Sequence, residues 1–236
     1  LLGFILTRHW QDRRSGMELV LWLSTEHGPL KVLIDKQESV FFVAQVDVSK
    51  AQELLVSESA WRCRDLELRD FSGNSVSGFY FSSQRAFYRA RDLFTAHQIT
   101  VYEADIGPSN RFLMERFARG SVRVRGLVKE AAPYQRMENP ALTGVEYAPQ
   151  LKVISVDIET AIDRVELFSI GIYAEQNGEI IERVLMVGLN DDRAAEYLHF
   201  YPDEKSLLVA FLSWLNDYDP DVIIGWNVIN FDMRYL

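Results

Sequence analysis

The amino-acid sequence predicts an α+β N-terminal domain over residues 1–148 and a mixed sheet flanked by helices over residues 149–236. Short apolar segments separated by turn residues run through the first part, whereas the second alternates buried strands with a long amphipathic helix. Between them, residues 131–150 collect proline, glycine and polar residues, which is typical of a linker. The charge pattern also changes there, because the net charge of −9 resides in the second part.

Composition excludes several classes of protein. Hydrophobic residues make up 48% of the 236 residues, which excludes wholesale disorder. The single cysteine, Cys63, excludes a disulfide framework or a cysteine zinc site and suits a reducing compartment. The four histidines show no metal-ligand spacing. No apolar run is long enough to span a membrane and no signal peptide is visible, so we expect a cytoplasmic protein.

The first part contains short strands with a few helices between them. We predict strands at Gly3–His9, Glu18–Ser24, Pro29–Ile34, Ser39–Val43, Val76–Phe81 and Ile99–Glu103. We predict helices at Val48–Val56, Gln84–His97 and Arg111–Phe117. The polar stretch Gln11–Gly16 is expected to be a hairpin loop between the first two strands.

The second part has a clearer pattern. Strands are predicted at Leu151–Asp157, Glu166–Ala174 and Ile180–Val187, and the short turns between them favour antiparallel pairing. An apolar stripe predicts a helix at Asp203–Tyr218. A further buried strand follows at Val222–Ile224. Because a helical crossover precedes it, we expect it to pair in parallel with the first strand of this part.

Three carboxylates are candidates for chemistry. Asp157 and Glu159 end an apolar strand two residues apart, so both leave the same face of that strand. Neighbouring carboxylates stay ionised when a cation joins them, and hard divalent cations prefer oxygen ligands. Asp232 follows the second buried strand and can approach the same point. Three such acids can hold two cations about 3.5–4 Å apart, an arrangement that suits phosphodiester hydrolysis.

A plainer interpretation stays open at this point. An Asp-x-Glu pair after a strand is commonly a solvated loop or a helix cap, and Asp232 alone is typical of a helix surface.

The residues around these acids carry a resemblance. Val156-Asp157-Ile158-Glu159-Thr160 resembles the first 3′→5′ exonuclease motif of the family B DNA polymerases. Gly225-Trp226-Asn227-Val228-Ile229-Asn230-Phe231-Asp232 resembles the second motif. The segments 3–10, 101–106 and 111–117 resemble the N-terminal domain of bacterial members of this family, so the resemblance spans essentially the whole chain.

The resemblance implies a partial ribonuclease H-like exonuclease domain at 149–236 that works with two Mg²⁺ or Mn²⁺ ions. Asp157 would bridge both ions, Glu159 would bind the ion that activates water, and Asp232 would serve the second ion. Thr160 would lie beside the 3′-terminal nucleotide, while Asn227 and Phe231 would hold the single strand.

Two aromatic residues of the second motif have further interpretations. A core contact is the alternative for Phe231, and Trp226 is expected to pack.

The implied partners are DNA, as a single-stranded 3′ end and as primer-template, and a sliding clamp contacted from outside these residues. The implied setting is DNA replication and repair at the bacterial nucleoid.

One family motif is missing from these residues. The third exonuclease motif is Tyr-x-x-x-Asp, and its only match here, Tyr88–Asp92, precedes the first motif. The polymerase palm, fingers and thumb are missing too. We therefore expect this chain to be an N-terminal fragment with little or no exonuclease activity of its own.

A basic run suggests DNA contacts in the first part. It consists of Arg111, Arg116, Arg119, Arg123, Arg125 and Lys129. Template phosphates are one expected partner of this run, and a solvated face or contacts to acidic residues are the alternative. Two other functions stay open: a stand-alone ribonuclease H-like nuclease, and a non-catalytic nucleic-acid-binding module.

Overall fold

The computed structural model describes residues 1–163, 166–176, 178–189 and 194–236. The chain divides into two compact units, Leu1–Pro149 and Gln150–Leu236. Within the described ranges, no helix is both long and apolar enough to cross a membrane.

Strands dominate the first unit. They are β1 (Leu2–Arg13), β2 (Gly16–Thr25), β3 (Gly28–Gln37), β4 (Ser39–Ala44), β5 (Trp61–Arg69), β6 (Ser75–Phe81), β7 (Val101–Tyr102), β8 (Ser121–Arg125), β9 (Val128–Ala131), β10 (Tyr134–Glu138) and β11 (Ala141–Gly144). Its α-helices are α1 (Val48–Leu54), α2 (Gln84–Ala96) and α3 (Pro108–Met114).

These strands form two sheets, each with its own apolar core. The larger sheet has the order β11-β8-β1-β2-β3-β10-β9 and the smaller one β5-β6-β4-β7. Alternate residues of the larger sheet, such as Leu21, Val32 and Met137, are buried in one cluster. In the smaller sheet Phe41 is fully buried and packs against Phe79 and other aromatic rings, beneath α1 and α2. Period-2 alternation therefore sets which face of each sheet is apolar.

The second unit is a mixed sheet with a helix on one face. Its elements are β12 (Val153–Thr160), β13 (Leu167–Gln176), β14 (Glu179–Val187), β15 (Leu198–Tyr201), α4 (Glu204–Tyr218), β16 (Val222–Ile224) and α5 (Asp232–Tyr235). The sheet order is β15-β14-β13-β12-β16. β12 pairs antiparallel with β13 and in parallel with β16, so the predicted mixed sheet is confirmed.

Polar contacts at both ends of α4 fix the crossover that leads to β16. Asp203 caps its N-terminus by accepting the backbone N–H of Ser206 at 2.8 Å, and that hydrogen bond holds the pKa of Asp203 below its usual value. At the other end, the Lys152 ammonium donates to the Tyr218 carbonyl at 2.8 Å. The carboxylate of Asp221 accepts the Lys152 backbone N–H at 2.9 Å. These contacts tie the end of the crossover to the start of β12.

Several sequence predictions need correction. The stretch Gln11–Gly16 is mostly strand, because β1 runs on to Arg13 and β2 begins at Gly16. The stretch 131–150 is not a continuous linker, since β10 and β11 lie within it. Four further strands, β5, β8, β9 and β15, lie outside the strands predicted from the sequence. β9 and β15 are only four residues long, and β5 is charge-rich and largely exposed, so their sequences give a weak strand signal. β8 alternates buried valines with exposed arginines over only five residues, and its pairing with β1 and β11 defines it.

Candidate active site

The carboxylates of the first motif stand on the outer face of β12. Val156 and Ile158 are buried in the core beneath α4, whereas Asp157 and Glu159, which alternate with them, are exposed. Asp157 also lines an open depression on this face with Tyr173 and other residues. The strand therefore projects both acids from the same side, as the two-residue spacing predicts.

Thr160 lies where the strand becomes irregular. The pairing of β12 with β13 shifts between Glu159 and Thr160, and Thr160 then pairs with Leu167. Such a bulge re-aims the side chains beside it. Thr160 is half-buried at the end of the strand, directly after the two carboxylates.

Asp232 reaches the same strand from the second motif. Its side chain is buried, with 1% of the residue exposed, and its Oδ1 accepts the backbone N–H of Ile158 at 3.0 Å. Ile158 lies between Asp157 and Glu159 in the chain, so the structure brings all three acids to one segment. The other oxygen, Oδ2, is buried and has no hydrogen-bond partner among the described residues.

Gly225 lets the second motif come this close. β16 runs beside Val153–Ser155, and Gly225 follows it. A Cβ at Gly225 would lie 2.4 Å from the carbonyl oxygen of Val156, which is closer than such atoms can come. A side chain at this position would therefore push the motif away from β12.

A compact turn then carries the chain back to Asp232. Asn227 has a φ of 58°, in the left-handed region that asparagine tolerates better than most residues. Its carbonyl accepts the N–H groups of Asn230 at 3.1 Å and Phe231 at 3.0 Å. Since α5 begins at Asp232 directly after this turn, the turn sets where the acid enters the site.

The other predicted DNA-contacting residues are accessible. Asn227 is exposed, and Phe231 is 43% exposed at the rim of the turn. Trp226 is 91% exposed, so the expectation that it packs is wrong. The reason is local, because the residue extends from the turn away from the core.

The arrangement fits a divalent cation in its donor set. Among the described residues, no group of three or more His, Cys, Asp or Glu side chains has a metal-holding geometry. The buried, unpartnered Oδ2 of Asp232 nevertheless lacks the positive partner that a buried carboxylate needs. Carboxylate oxygens are the ligands that Mg²⁺ and Mn²⁺ favour. The metal-binding roles of Asp157, Glu159 and Asp232 stay predictions.

Three members of the basic run make local contacts within the first unit. Arg111 pairs with Glu103 at 2.5 Å, and the guanidinium of Arg116 lies 3.6 Å from the centre of the Phe112 ring. Lys129 pairs with Glu138 at 2.7 Å. These three cations are therefore engaged with neighbouring residues of their own unit.

Family models cover almost the whole chain. Residues 99–236 match the exonuclease domain of DNA polymerase family B. Residues 3–38 match the N-terminal region of DNA polymerase II, and residues 39–97 match its insertion domain.

Curated relatives carry the same description. DNA polymerase II of Escherichia coli (strain K12) is 39% identical over 235 residues, covering 99% of this chain and 29% of that protein. The DNA polymerase of Archaeoglobus fulgidus is 24% identical, over 99% of this chain and 30% of its own length. The chain thus spans about a third or less of these relatives.

A solved structure shares the fold. The family B DNA polymerase from the archaeon Pyrobaculum calidifontis matches with a TM-score of 0.72 at 21% identity. The match covers 100% of this chain and 32% of that one. At this identity it bears on the fold alone.

Replacing Gly225 by alanine should loosen the contact between the two motifs. We expect Gly225→Ala to lower the free energy of unfolding of the second unit by about 1–3 kcal/mol, since the added Cβ meets backbone rather than a movable side chain. Urea titration followed by circular dichroism measures this change.

Gly171→Ala is the matched control, because its Cβ would make only an ordinary 3.7 Å contact with the Asp157 carbonyl oxygen. Equal losses for the two variants would contradict the close-approach argument.

Two substitutions of Asp232 distinguish the effect of its hydrogen bond on stability from the effect of its charge. Asp232→Ala leaves the buried Ile158 N–H unpaired and should cost about 1–3 kcal/mol of stability. Asp232→Asn retains an acceptor oxygen and should cost clearly less, while both variants lose stabilisation by Mn²⁺. Thermal unfolding with and without Mn²⁺ tests both statements, and Mn²⁺ stabilisation that survives in either variant would contradict the second.

Proposed function

The chain belongs to the family B DNA polymerases, and we propose that its second unit supplies carboxylates of a two-metal 3′→5′ exonuclease that trims DNA ends. The observation that carries the proposal is the hydrogen bond from the Ile158 N–H to Asp232 Oδ1. It joins the two motifs at the strand that also bears Asp157 and Glu159.

Charge gives the site its chemical character. Asp157 and Glu159 are exposed on one face, so both can reach a cation without first losing a protein partner in the core. Asp232 is held rigidly by its bond to β12 and offers one free, buried oxygen. Fixed oxygen ligands on a strand position a cation more precisely than ligands on loops.

Asp157 would hold both cations, Glu159 would hold the cation that activates water, and Asp232 would hold the other. Bound divalent cations at such a site supply hydroxide at neutral pH and stabilise the leaving oxygen of the phosphodiester. The part of this chain would be to supply the three carboxylates from one segment of the sheet and to orient the DNA end against them.

Residues at the rim suit a frayed single strand. Thr160 follows the carboxylates directly, and Asn227 and Phe231 lie on the exposed turn of the second motif. A partly exposed phenylalanine ring can stack on any base, which a site that trims mismatched ends requires. We propose these three residues as the contacts to the terminal nucleotides.

Wider properties follow from the family and stay proposals. We propose that the protein binds DNA as primer-template, has a sliding clamp as a partner and lies in the cytoplasm at the nucleoid. A stand-alone nuclease would use the same carboxylates. A non-catalytic binding module would not need them, so metal binding separates that alternative from the others.

Metal titration tests the site directly. We expect Mn²⁺ to bind the chain and Asp157→Ala or Glu159→Ala to weaken that binding about tenfold or more, because each removes a proposed ligand. Isothermal titration calorimetry measures the affinity. Asp217→Ala is the control, since Asp217 is an exposed acid on α4 in the same unit. An equal effect of all three substitutions would contradict the assignment.

Cleavage gives a second readout of the same variants. We expect slow trimming of a single-stranded oligonucleotide from its 3′ end, because these residues lack the third family motif. That trimming should disappear in Asp157→Ala. Trimming that is unaffected by this substitution would contradict the proposed function.

A further inference from the structure

Three cationic side chains lie directly side by side on the larger sheet of the first unit. In the strand register Lys31 of β3 is opposite Arg136 of β10, and Arg136 is opposite Lys129 of β9. On the other side of Lys31, its partner across β2 is Trp22. We call Trp22, Lys31, Arg136 and Lys129 the cationic row.

The row occupies the face of the sheet opposite the apolar core. The neighbours of Lys31 and Arg136 along their strands, Val32 and Met137, are buried in that core. Alternation along a strand therefore places the row on the outer face. The side chains of Lys129 and Arg136 are 51% and 41% exposed, so they are open to a ligand.

The row is short of negative charge. Glu138 serves two of its members, because its carboxylate lies 2.7 Å from Lys129 Nζ and 2.7 Å from Arg136 Nη2. Lys129 and then Arg136 hold the pKa of Glu138 below its usual value. Within the described part of the chain Lys31 has no ion pair, and the Nε of Arg136 is buried without a hydrogen-bond partner.

Three cations against one carboxylate leave a net positive charge on this part of the sheet. Adjacent strands lie about 4.8 Å apart, and like charges directly opposite each other on one face are destabilising. Local features that oppose stability are expected at functional sites. A ligand with repeated negative charges would remove the repulsion along the whole row.

Aromatic rings border the cations. The rings of Trp22 and Tyr134 meet edge to face, with centroids 4.9 Å apart. The Lys31 ammonium lies 5.1 Å from the Trp22 ring and 5.8 Å from the Tyr134 ring. Both aromatic side chains are half-buried and keep part of their surface open. Cations that track a phosphate backbone, beside rings that contact bases, are the combination found in single-strand binders.

We propose that the cationic row is a binding site for single-stranded DNA, with Lys31, Arg136 and Lys129 on successive phosphates and Trp22 and Tyr134 against the bases. The choice of DNA over RNA rests on the proposed function. The site itself lies wholly in the first unit and uses none of the carboxylates of the second.

Removing cations and removing the carboxylate should change DNA affinity in opposite directions. The double substitution Lys31→Gln and Lys129→Gln removes two cations, so it should weaken binding about tenfold and reduce the slope of log K against log salt by about 1.4. Glu138→Gln removes the carboxylate that competes with phosphate, and it should strengthen binding severalfold. A substitution that merely disturbed the fold would not strengthen binding.

Fluorescence anisotropy of the full chain with labelled oligothymidine, in EDTA, measures these affinities. The matched control is Lys50→Gln with Arg85→Gln, two exposed cations on helices of the same unit. The proposal predicts less than a threefold loss for this control and weaker binding of duplex than of single strand. It is overturned if control and row variants lose equally, if Glu138→Gln weakens binding, or if duplex binds as tightly.

EDTA keeps this test separate from the exonuclease proposal, because the metal-dependent site is inactive without divalent cations. Asp217→Ala, which removes an exposed acid on α4 outside both proposed sites, should bind oligothymidine in EDTA as the unmodified chain does. Binding that depends on the row, in a chain that shows no Mn²⁺ affinity, would refute the proposed exonuclease and leave the cationic row standing. If the chain binds Mn²⁺ but the row variants bind DNA as the control does, the cationic row is refuted and the proposed exonuclease stands.

Discussion

The hydrogen bond between the Ile158 backbone N–H and Asp232 Oδ1 joins two segments that are 74 residues apart in the chain. It adds a side-chain contact to the short pairing of β12 with β16 and to the close approach of Gly225 to Val156. The bond also fixes the orientation of the carboxylate, since one oxygen faces the strand and the other is left buried and unpartnered. One oxygen of Asp232 thus makes a structural contact, and the other is a candidate metal ligand.

The rest of the second unit makes that bond possible. The capped helix α4 and the contacts of Lys152 bring the chain back to the edge of β12, and β16 aligns with it in parallel. Gly225 then allows the backbone to pass against the Val156 carbonyl oxygen. Each step narrows the possible positions of Asp232, so a free carboxylate oxygen can be held in the core without a partner from the described residues.

Much of this unit follows from sequence because its pattern is local. Alternation predicts that Asp157 and Glu159 share a face, and a helical crossover predicts the parallel pairing of β16. The burial of Asp232 does not follow, since an acid after a turn usually stays in water. The requirement for Gly225 is equally hidden, because it depends on a strand that lies far away in the sequence.

In the first unit, the sequence reveals the charged residues but not the surface that they form. Its basic residues are easy to see in the sequence, yet Arg111 and Arg116 are engaged locally and only Lys129 of that run joins the cationic row. Lys31 and Arg136 meet because β3 and β10 pair across a long separation in the chain. Charge patterns along a sequence cannot reveal a surface that strand register assembles.

The proposed role of Asp232 can be tested most directly by anomalous X-ray diffraction from crystals soaked in MnCl₂. We expect an Mn²⁺ peak at coordination distance from Asp232 Oδ2 and from the carboxylate of Asp157, with Asp232 Oδ1 still accepting the Ile158 N–H. An Mn²⁺ ion bound to Asp157 and Glu159 while both oxygens of Asp232 contact only protein would contradict it.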